Sequence, residues 1–394
     1  MTLFDDIARD DPSPASETEG HYAFLNRVAT PYWGRVRSLL SEWVTRLPQG
    51  ERDDTIARMR SKDRRQSLAA FWELYLLITF QQLGFGVVQH PRVPNSTRRP
   101  DFLIETDRGV AYVEATLAST SDEDLAKDNR RRQVYDTINN GLHTPDFWLA
   151  LDLDNESDEA PGIRKHLPDV QAWLDEQDAN AIEELLQAKS YDILPRYRIT
   201  DRGWTLTITP LAKGGASRGD ATARPIGFYP FEGGSFDGRA PVLAALNEKT
   251  SRYGVLDAPY MIAVLVETFL TDHDDVYRAL FGNTTVVVPV DDPDESVPGS
   301  VPDGFWLSDH GPTNTHVSAV VTARELYEWR VAEHAPVVWV NPWADQTFPA
   351  DLPWTSHSIS GDGNLDTSEP GTRPFEIFDL PPEWPGPEGP FDIE

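Results

Sequence analysis

Residues 67–83, SLAAFWELYLLITFQQL, are apolar around almost the whole circumference of a helix, and this run limits the fold more than any other part of the chain. A helix with a narrow apolar stripe can lie on a surface, whereas one that is apolar all round must be enclosed. No run reaches the roughly 18 uninterrupted apolar residues of a membrane span, so the enclosure has to come from protein. Gly84 stops the helix, and the segments that follow read as strands, which makes a sheet its expected neighbour. The helix carries a single charge, Glu73. A lone carboxylate on such a helix requires a partner.

Downstream, Phe85 to Gln89 reads as a short strand closed by His90-Pro91, and a polar loop (RVPNSTRR) leads to Pro100-Asp101. Phe102-Leu103-Ile104 is a second strand, Thr106-Asp107-Arg108-Gly109 a hairpin turn, and Val110 to Leu117 a third strand. A helix over 121–140 opens with a Ser121/Asp124 capping pattern, and Phe147 to Leu153 is a fourth strand. The order is helix, strand, strand, strand, helix, strand. Upstream, Val36, Leu39, Leu40, Trp43, Val44 and Leu47 form one apolar helical stripe, followed by a basic amphipathic stretch through Arg58, Arg60, Lys62, Arg64 and Arg65.

The expected organisation is a disordered leader (1–20), an N-terminal helical segment (21–65), a first α/β domain (66–200), a second α/β domain (201–345) and a Pro-, Gly- and Asp-rich coil tail (346–394). In the second domain a helix near 241–252 precedes strands at 259–267, 284–290, 317–322 and 337–340. Glycine clusters around Gly214 and Gly233 lack a following Lys-Ser/Thr and read as flexible connections.

The 394 residues include no Cys, which excludes disulfides, thiolate metal sites and a thiol nucleophile. The acidic start MTLFDDIARDDPSP is unlike a signal peptide, and a soluble cytoplasmic protein is expected. Net charge is −29, yet residues 21–135 hold 18 Lys and Arg against 14 Asp and Glu, a net of +4 that leaves −33 for the rest. A mildly basic segment in an acidic body keeps phosphate contacts feasible, because affinity follows local charge.

Asp101 starts one strand and Glu114 lies near the end of the next, across a tight hairpin. Strand alternation puts Val113 and Ala115 on one face and Tyr112, Glu114 and Thr116 on the other. Two converging carboxylates either bind a hard cation or raise each other's pKa. Oxygen ligands without Cys or clustered His suit Mg²⁺ or Mn²⁺. Glu73 is expected to point toward the pair from its helix.

A helix Glu, then Pro-Asp at a strand start, then Glu on the next strand, inside an αβββαβ order, resembles the PD-(D/E)xK (restriction-endonuclease-like) nuclease superfamily. The matching residues are Glu73, Pro100-Asp101 and Glu114-Ala115-Thr116, and the resemblance covers roughly residues 65–155. It implies an α/β fold with a mixed sheet flanked by helices, and metal-dependent hydrolysis of phosphodiester bonds in DNA, in a setting such as restriction or anti-invader defence. Asp101 and Glu114 would hold Mg²⁺ or Mn²⁺ with support from Glu73. Thr116 stands where the family has lysine, so the resemblance calls for a cation from elsewhere, with Lys127 or Arg130, Arg131 and Arg132 of the next helix as candidates. Arg98, Arg99 and Arg130–Arg132 are the expected phosphate contacts. The alternative left by Thr116 is an inactive module that keeps the fold and binds nucleic acid or a partner protein. A homodimer or partner complex through the C-terminal domain is also compatible with the sequence.

The remaining candidates read as structural. His90, His143 and His316 are isolated, Ser318 has no elbow glycines, and Asp272, His273, Asp274 and Asp275 are adjacent and so diverge. Lys249 and Tyr253 fall one turn apart on a helix, where core packing explains them.

Overall fold

The computed structural model describes residues 2–94, 96–119, 122–220, 223–229, 237–267, 271–287, 297–360 and 364–391. It is a mixed α/β structure in two compact units. The first comprises Met1–Pro14, Gly20–Thr120 and Phe236–Glu394, and the second Ala15–Glu19 and Ser121–Ser235.

The first unit opens with helices α1 (His21–Arg27), α2 (Pro31–Thr45), α3 (Gln49–Met59) and α4 (Arg64–Gln82). The α2 stripe is buried as its spacing predicts: Val36, Leu39, Leu40, Trp43 and Val44 all lie inside. Helix α4 is capped by Asp63, whose side chain accepts from the Arg65 N–H, and it is buried from Ser67 to Phe80 except at Ala69 and Glu73. Strands β1 (Gly86–Gln89), β2 (Phe102–Thr106) and β3 (Gly109–Ala118) follow as an antiparallel meander.

The second unit then interrupts the first. It holds α5 (Asp122–Gly141), β4 (Phe147–Asn155), α6 (Leu167–Asp175), α7 (Ala179–Gln187), β5 (Tyr197–Asp201), β6 (Trp204–Ala212) and β7 (Ile226–Phe228). Its four strands form their own sheet in the order β5-β6-β4-β7, over a core that includes Val134, Ile138, Leu149, Leu151, Trp204 and Ile208.

The chain returns to the first unit with α8 (Arg239–Thr250), β8 (Tyr260–Val266) and α9 (His273–Phe281). Two short antiparallel pairs come next, β9 (Asn283–Val287) with β10 (Val297–Val301) and β11 (Leu307–Ser308) with β12 (Gly311–Pro312). Strands β13 (Val317–Arg324), β14 (Val337–Val340), β15 (Thr355–Ile359) and β16 (Leu365–Ser368) and helix α10 (Pro374–Ile377) complete it.

The main sheet has eight strands in the order β1-β2-β3-β8-β13-β14-β15-β16. Strands β3, β8 and β13 are parallel and central. All seven residues of β8 are buried, the uninterrupted apolar run that a strand covered on both faces requires. On one face Tyr112, Tyr260, Ile262 and Val264 pack with Val242, Leu246 and Tyr253 and with Val276, Ala279 and Leu280 of α9. Helix α4 lies against the other face, where the Trp72 indole N–H donates to the Ala263 carbonyl at 3.0 Å.

Three expectations need correction. First, α5 and β4 are not the helix and strand that follow β3 in its sheet; those places belong to α8 and β8. The reason lies in the strands themselves. Residues of β4 alternate between buried and half-exposed before running into Asp152, Asp154 and Asn155, which fits a small antiparallel sheet, whereas β8 is apolar throughout. The domain boundaries shift accordingly, from 66–200 and 201–345 to an insertion of 121–235 within one larger unit.

Second, the tail over 346–394 is not coil alone. It supplies β15 and β16, buries Trp354, and packs Phe378 against Trp43 and Tyr75 at ring distances of 5.1 and 5.3 Å. Third, the leader is held in place. Leu3 is buried and its carbonyl accepts from Arg60, while the Asp136 carboxylate of the second unit accepts the N–H groups of Glu17 and Thr18 at 2.8 Å each. Part of the expected strand at 284–290 lies outside the described residues. Among the described residues, no helix is long and apolar enough to cross a membrane.

Candidate active site

The hairpin of β2 and β3 sets Phe102 opposite Val113, which places Asp101, one residue before β2, beside Glu114. The Ala115 N–H donates to Asp101 Oδ2 at 2.7 Å, a bond that fixes the carboxyl against β3. Glu114 is 3% exposed and points, as alternation requires, to the face covered by α8. It aligns with Ile262 of the parallel neighbour, so the carboxylate is enclosed by apolar strands on one side and by the end of α8 on the other.

Burying a carboxylate so thoroughly is costly unless donors surround it. Three do. Lys249 Nζ and Arg252 Nη1 each stand 3.2 Å from Glu114 Oε1, and the Tyr253 hydroxyl donates to Oε2. The same hydroxyl lies 3.1 Å from the Arg99 carbonyl and so ties the loop before β2 to the site. Lys249 is in the last turn of α8, while Arg252 and Tyr253 lie beyond the end of the helix at Thr250. Tyr253 is part of the apolar core, as its sequence pattern suggests, but its polar end serves Glu114.

The electrostatics are uneven across the pair. Burial pushes the Asp101 carboxyl well above the ordinary carboxylate range, and the charges of Glu114 and Glu73 push it further, against the Ala115 N–H and Lys249. The Tyr253 and Tyr260 hydroxyls are also raised, first by burial and then by the Glu114 charge. Glu114 is thus well supplied with donors, and Asp101 is left short of positive charge.

Glu73 does not turn into the pair. Both of its oxygens are taken by Arg58 of α3, at 2.7 and 2.6 Å, in a two-point ion pair. Helix α4 lies on the opposite face of the sheet from Glu114, so Glu73 acts on Asp101 through its charge alone. The expected three-carboxylate centre is therefore not formed, and among the described residues no group of three acidic or histidine side chains is arranged to hold a metal ion. The residues that fit a divalent ion are the two carboxylates Asp101 and Glu114. They are oxygen donors, and a hard cation there would counter the burial and like charges that hold the Asp101 carboxyl toward its protonated form.

Thr116 is half-buried on β3, two residues beyond Glu114, and its hydroxyl has no hydrogen-bond partner among the described residues. The positive charges beside Glu114 are Lys249 and Arg252, and not Lys127 or Arg130–Arg132 of the helix after β3. Lys127, Arg130 and Arg131 belong to the second unit, where they face Glu156, Asp158 and Glu156 at 3.6, 3.2 and 2.5 Å; Arg132 is half-buried there. Arg98 and Arg99, by contrast, are exposed beside the site and form no ion pair among the described residues. Asp272, which precedes His273 in the chain, caps α9 by accepting from the Asp275 N–H.

The sequence reading of Lys249 as a core-packing residue is corrected by its ion pair with Glu114; the available signal was that it is one of only six lysines, placed near the end of a helix. What sequence spacing lacks is the link between that helix and β3, because 130 residues separate Lys249 from Ala118 and the second unit lies between them. Compared with known proteins, the chain matches no family model, no curated protein and no solved structure.

Proposed function

We propose that the first unit is a divergent nuclease of the restriction-endonuclease-like type that hydrolyses phosphodiester bonds in DNA with Mg²⁺ or Mn²⁺. The observation that carries this reading is the buried Asp101–Glu114 pair at a β-hairpin with Lys249 Nζ 3.2 Å from Glu114. In support of it, helix α4, the β1–β3 meander, α8 and the parallel strand β8 follow the helix, three-strand, helix, strand order that the resemblance implies, once residues 121–235 are set aside. Asp101 and Glu114 are the residues that would hold the ion, which would polarise a phosphate and lower the pKa of a water. Lys249 takes the part left open by Thr116, a fixed positive charge where negative charge develops on the phosphate. Arg98 and Arg99 are suited to contact the phosphate backbone from the adjoining loop.

A second reading, a catalytically inactive module of the same fold that binds nucleic acid, draws on a different observation. Lys249, Arg252 and Tyr253 already satisfy Glu114 from within the protein. Nicking of supercoiled DNA under Mg²⁺ and Mn²⁺, with Asp101→Asn and Lys249→Met beside the parent, separates the two. Metal-dependent nicking that both substitutions abolish supports the nuclease. DNA binding without cleavage under any divalent ion selects the inactive module.

A further inference from the structure

A polar cavity lies on the main sheet away from the Asp101–Glu114 pair. It has a volume of about 240 Å³ and is lined by His273, Thr322, Arg324, Glu325 and His334 over Val276, Ala335 and Val337. Arg324 aligns with Val266, the last residue of β8, so the cavity sits at the carboxyl ends of two parallel strands, beside the start of α9. Open α/β sheets take up ligands in that place. From strand spacing, Arg324 is roughly 16 Å from Glu114 on the same face.

The polar groups here are donors without acceptors. In a chain with 64 acidic and 35 basic residues, Arg324 hydrogen-bonds to no described residue, and its buried Nε–H is unpartnered. Trp339 donates to the Thr322 oxygen at 3.1 Å, which leaves the Thr322 hydroxyl proton free to donate. The His273 ring nitrogens have no hydrogen-bond partner among the described residues; the ring packs only on Trp339 and His357, at 4.6 Å each. His334 Nε2 is 3.8 Å from Glu333. The one carboxylate of the lining, Glu325, is held by Arg330 at 2.7 Å. Of the other charges nearby, Asp272 caps α9 and Asp274 faces Arg278 at 3.0 Å.

We infer that this cavity is a binding site for a small oxyanion, the phosphate or carboxylate group of a compact metabolite, held by Arg324, Thr322, His273 and His334. An acceptor group there satisfies an otherwise unpaired buried guanidinium N–H, the kind of group that is costly to leave unmade. The volume falls just below the range of pockets for drug-sized ligands, so whatever the oxyanion is attached to is short. Both imidazoles are held below their ordinary range, His273 by burial and then Arg324, His334 by burial and then Arg330. A bound anion reverses that electrostatic push and favours their protonated, donating form.

The test is titration of the full chain with inorganic phosphate and, separately, with acetate, read by calorimetry and by the imidazole resonances across pH 5–8. Saturable binding that shifts the His273 and His334 resonances and raises their titration midpoints is expected. Loss of at least tenfold in affinity is expected in Arg324→Gln and, independently, in His273→Gln, with the thermal unfolding midpoint of each variant measured alongside. Binding of phosphate alone or of acetate alone supports the site and names its source. No saturation by either at millimolar concentration, or affinity unchanged in both variants, overturns it.

Discussion

Lys249→Met isolates the positive charge at the candidate site. Lys249 Nζ is 3.2 Å from Glu114 Oε1, and the two side chains are 12% and 4% exposed. At an effective dielectric constant of about 20, that separation corresponds to an attraction of about 5 kcal/mol before desolvation. Arg252 and Tyr253 remain in the variant, and the desolvation cost of the ammonium disappears with it, so a net destabilisation of ~2–3 kcal/mol is expected. Urea denaturation measures it, with the slope unchanged if only the folded state is affected. Glu114→Gln in the Lys249→Met background is expected to recover most of that loss, because the uncompensated charge is gone; the double-mutant cycle then reports the coupling directly. Cleavage behaves differently. If Lys249 stabilises the transition-state phosphate, single-turnover rates fall by about 10²–10³ in Lys249→Met and stay low in the double variant. Wild-type cleavage by a destabilised Lys249→Met would show that the lysine only balances Glu114, and the catalytic argument would fail.

Other outcomes follow from the same geometry. Asp101→Asn is expected to stabilise the fold at neutral pH while abolishing any cleavage, since the folded Asp101 carboxyl titrates above its unfolded value. The sign is fixed: the folded state binds more protons, so the parent loses stability as pH rises from about 4 through the raised value, and Asp101→Asn flattens that slope in denaturation profiles. Arg58→Ala leaves Glu73 unpaired and is expected to cost about 1–2 kcal/mol without affecting metal-dependent cleavage; a collapse of activity in Glu73→Gln would reinstate Glu73 as a ligand. His21→Ala removes the partner, 2.9 Å away, of Glu328, which is 1% exposed, and a loss of about 2–3 kcal/mol is expected in thermal or urea unfolding. The Glu328 carboxyl is held below its ordinary range by His21 despite its burial, so this pair stabilises above about pH 4.5 and its contribution fades as pH falls through the depressed value.

The parts of the site that the sequence disclosed are those governed by neighbours in the chain. Apolar periodicity marked α2 and α4, the Thr106–Gly109 turn marked the β2–β3 hairpin, and alternation put Glu114 on the face opposite Val113. The proximity of Asp101 to Glu114 follows from the hairpin alone, whereas the burial that does most to raise the Asp101 carboxyl does not. Each of these depends on hydrogen bonds and side-chain directions within about fifteen residues.

What tertiary structure alone decided is which distant segments meet that hairpin. A parallel neighbour of β3 cannot be named from a local pattern, because parallel strands are joined by long crossovers with no upper limit on length, and here the crossover contains Ser121–Ser235 of the second unit. The sequential choice, α5 and β4, was displaced by α8 and β8 because a central strand buried on both faces needs seven uninterrupted apolar residues, and Tyr260–Val266 supplies them. With that pairing came Lys249, Arg252 and Tyr253 around Glu114. The packing of α3 on α4 gave Glu73 to Arg58. Local sequence set the carboxylates in place; the burial of apolar surface across more than a hundred residues chose their partners.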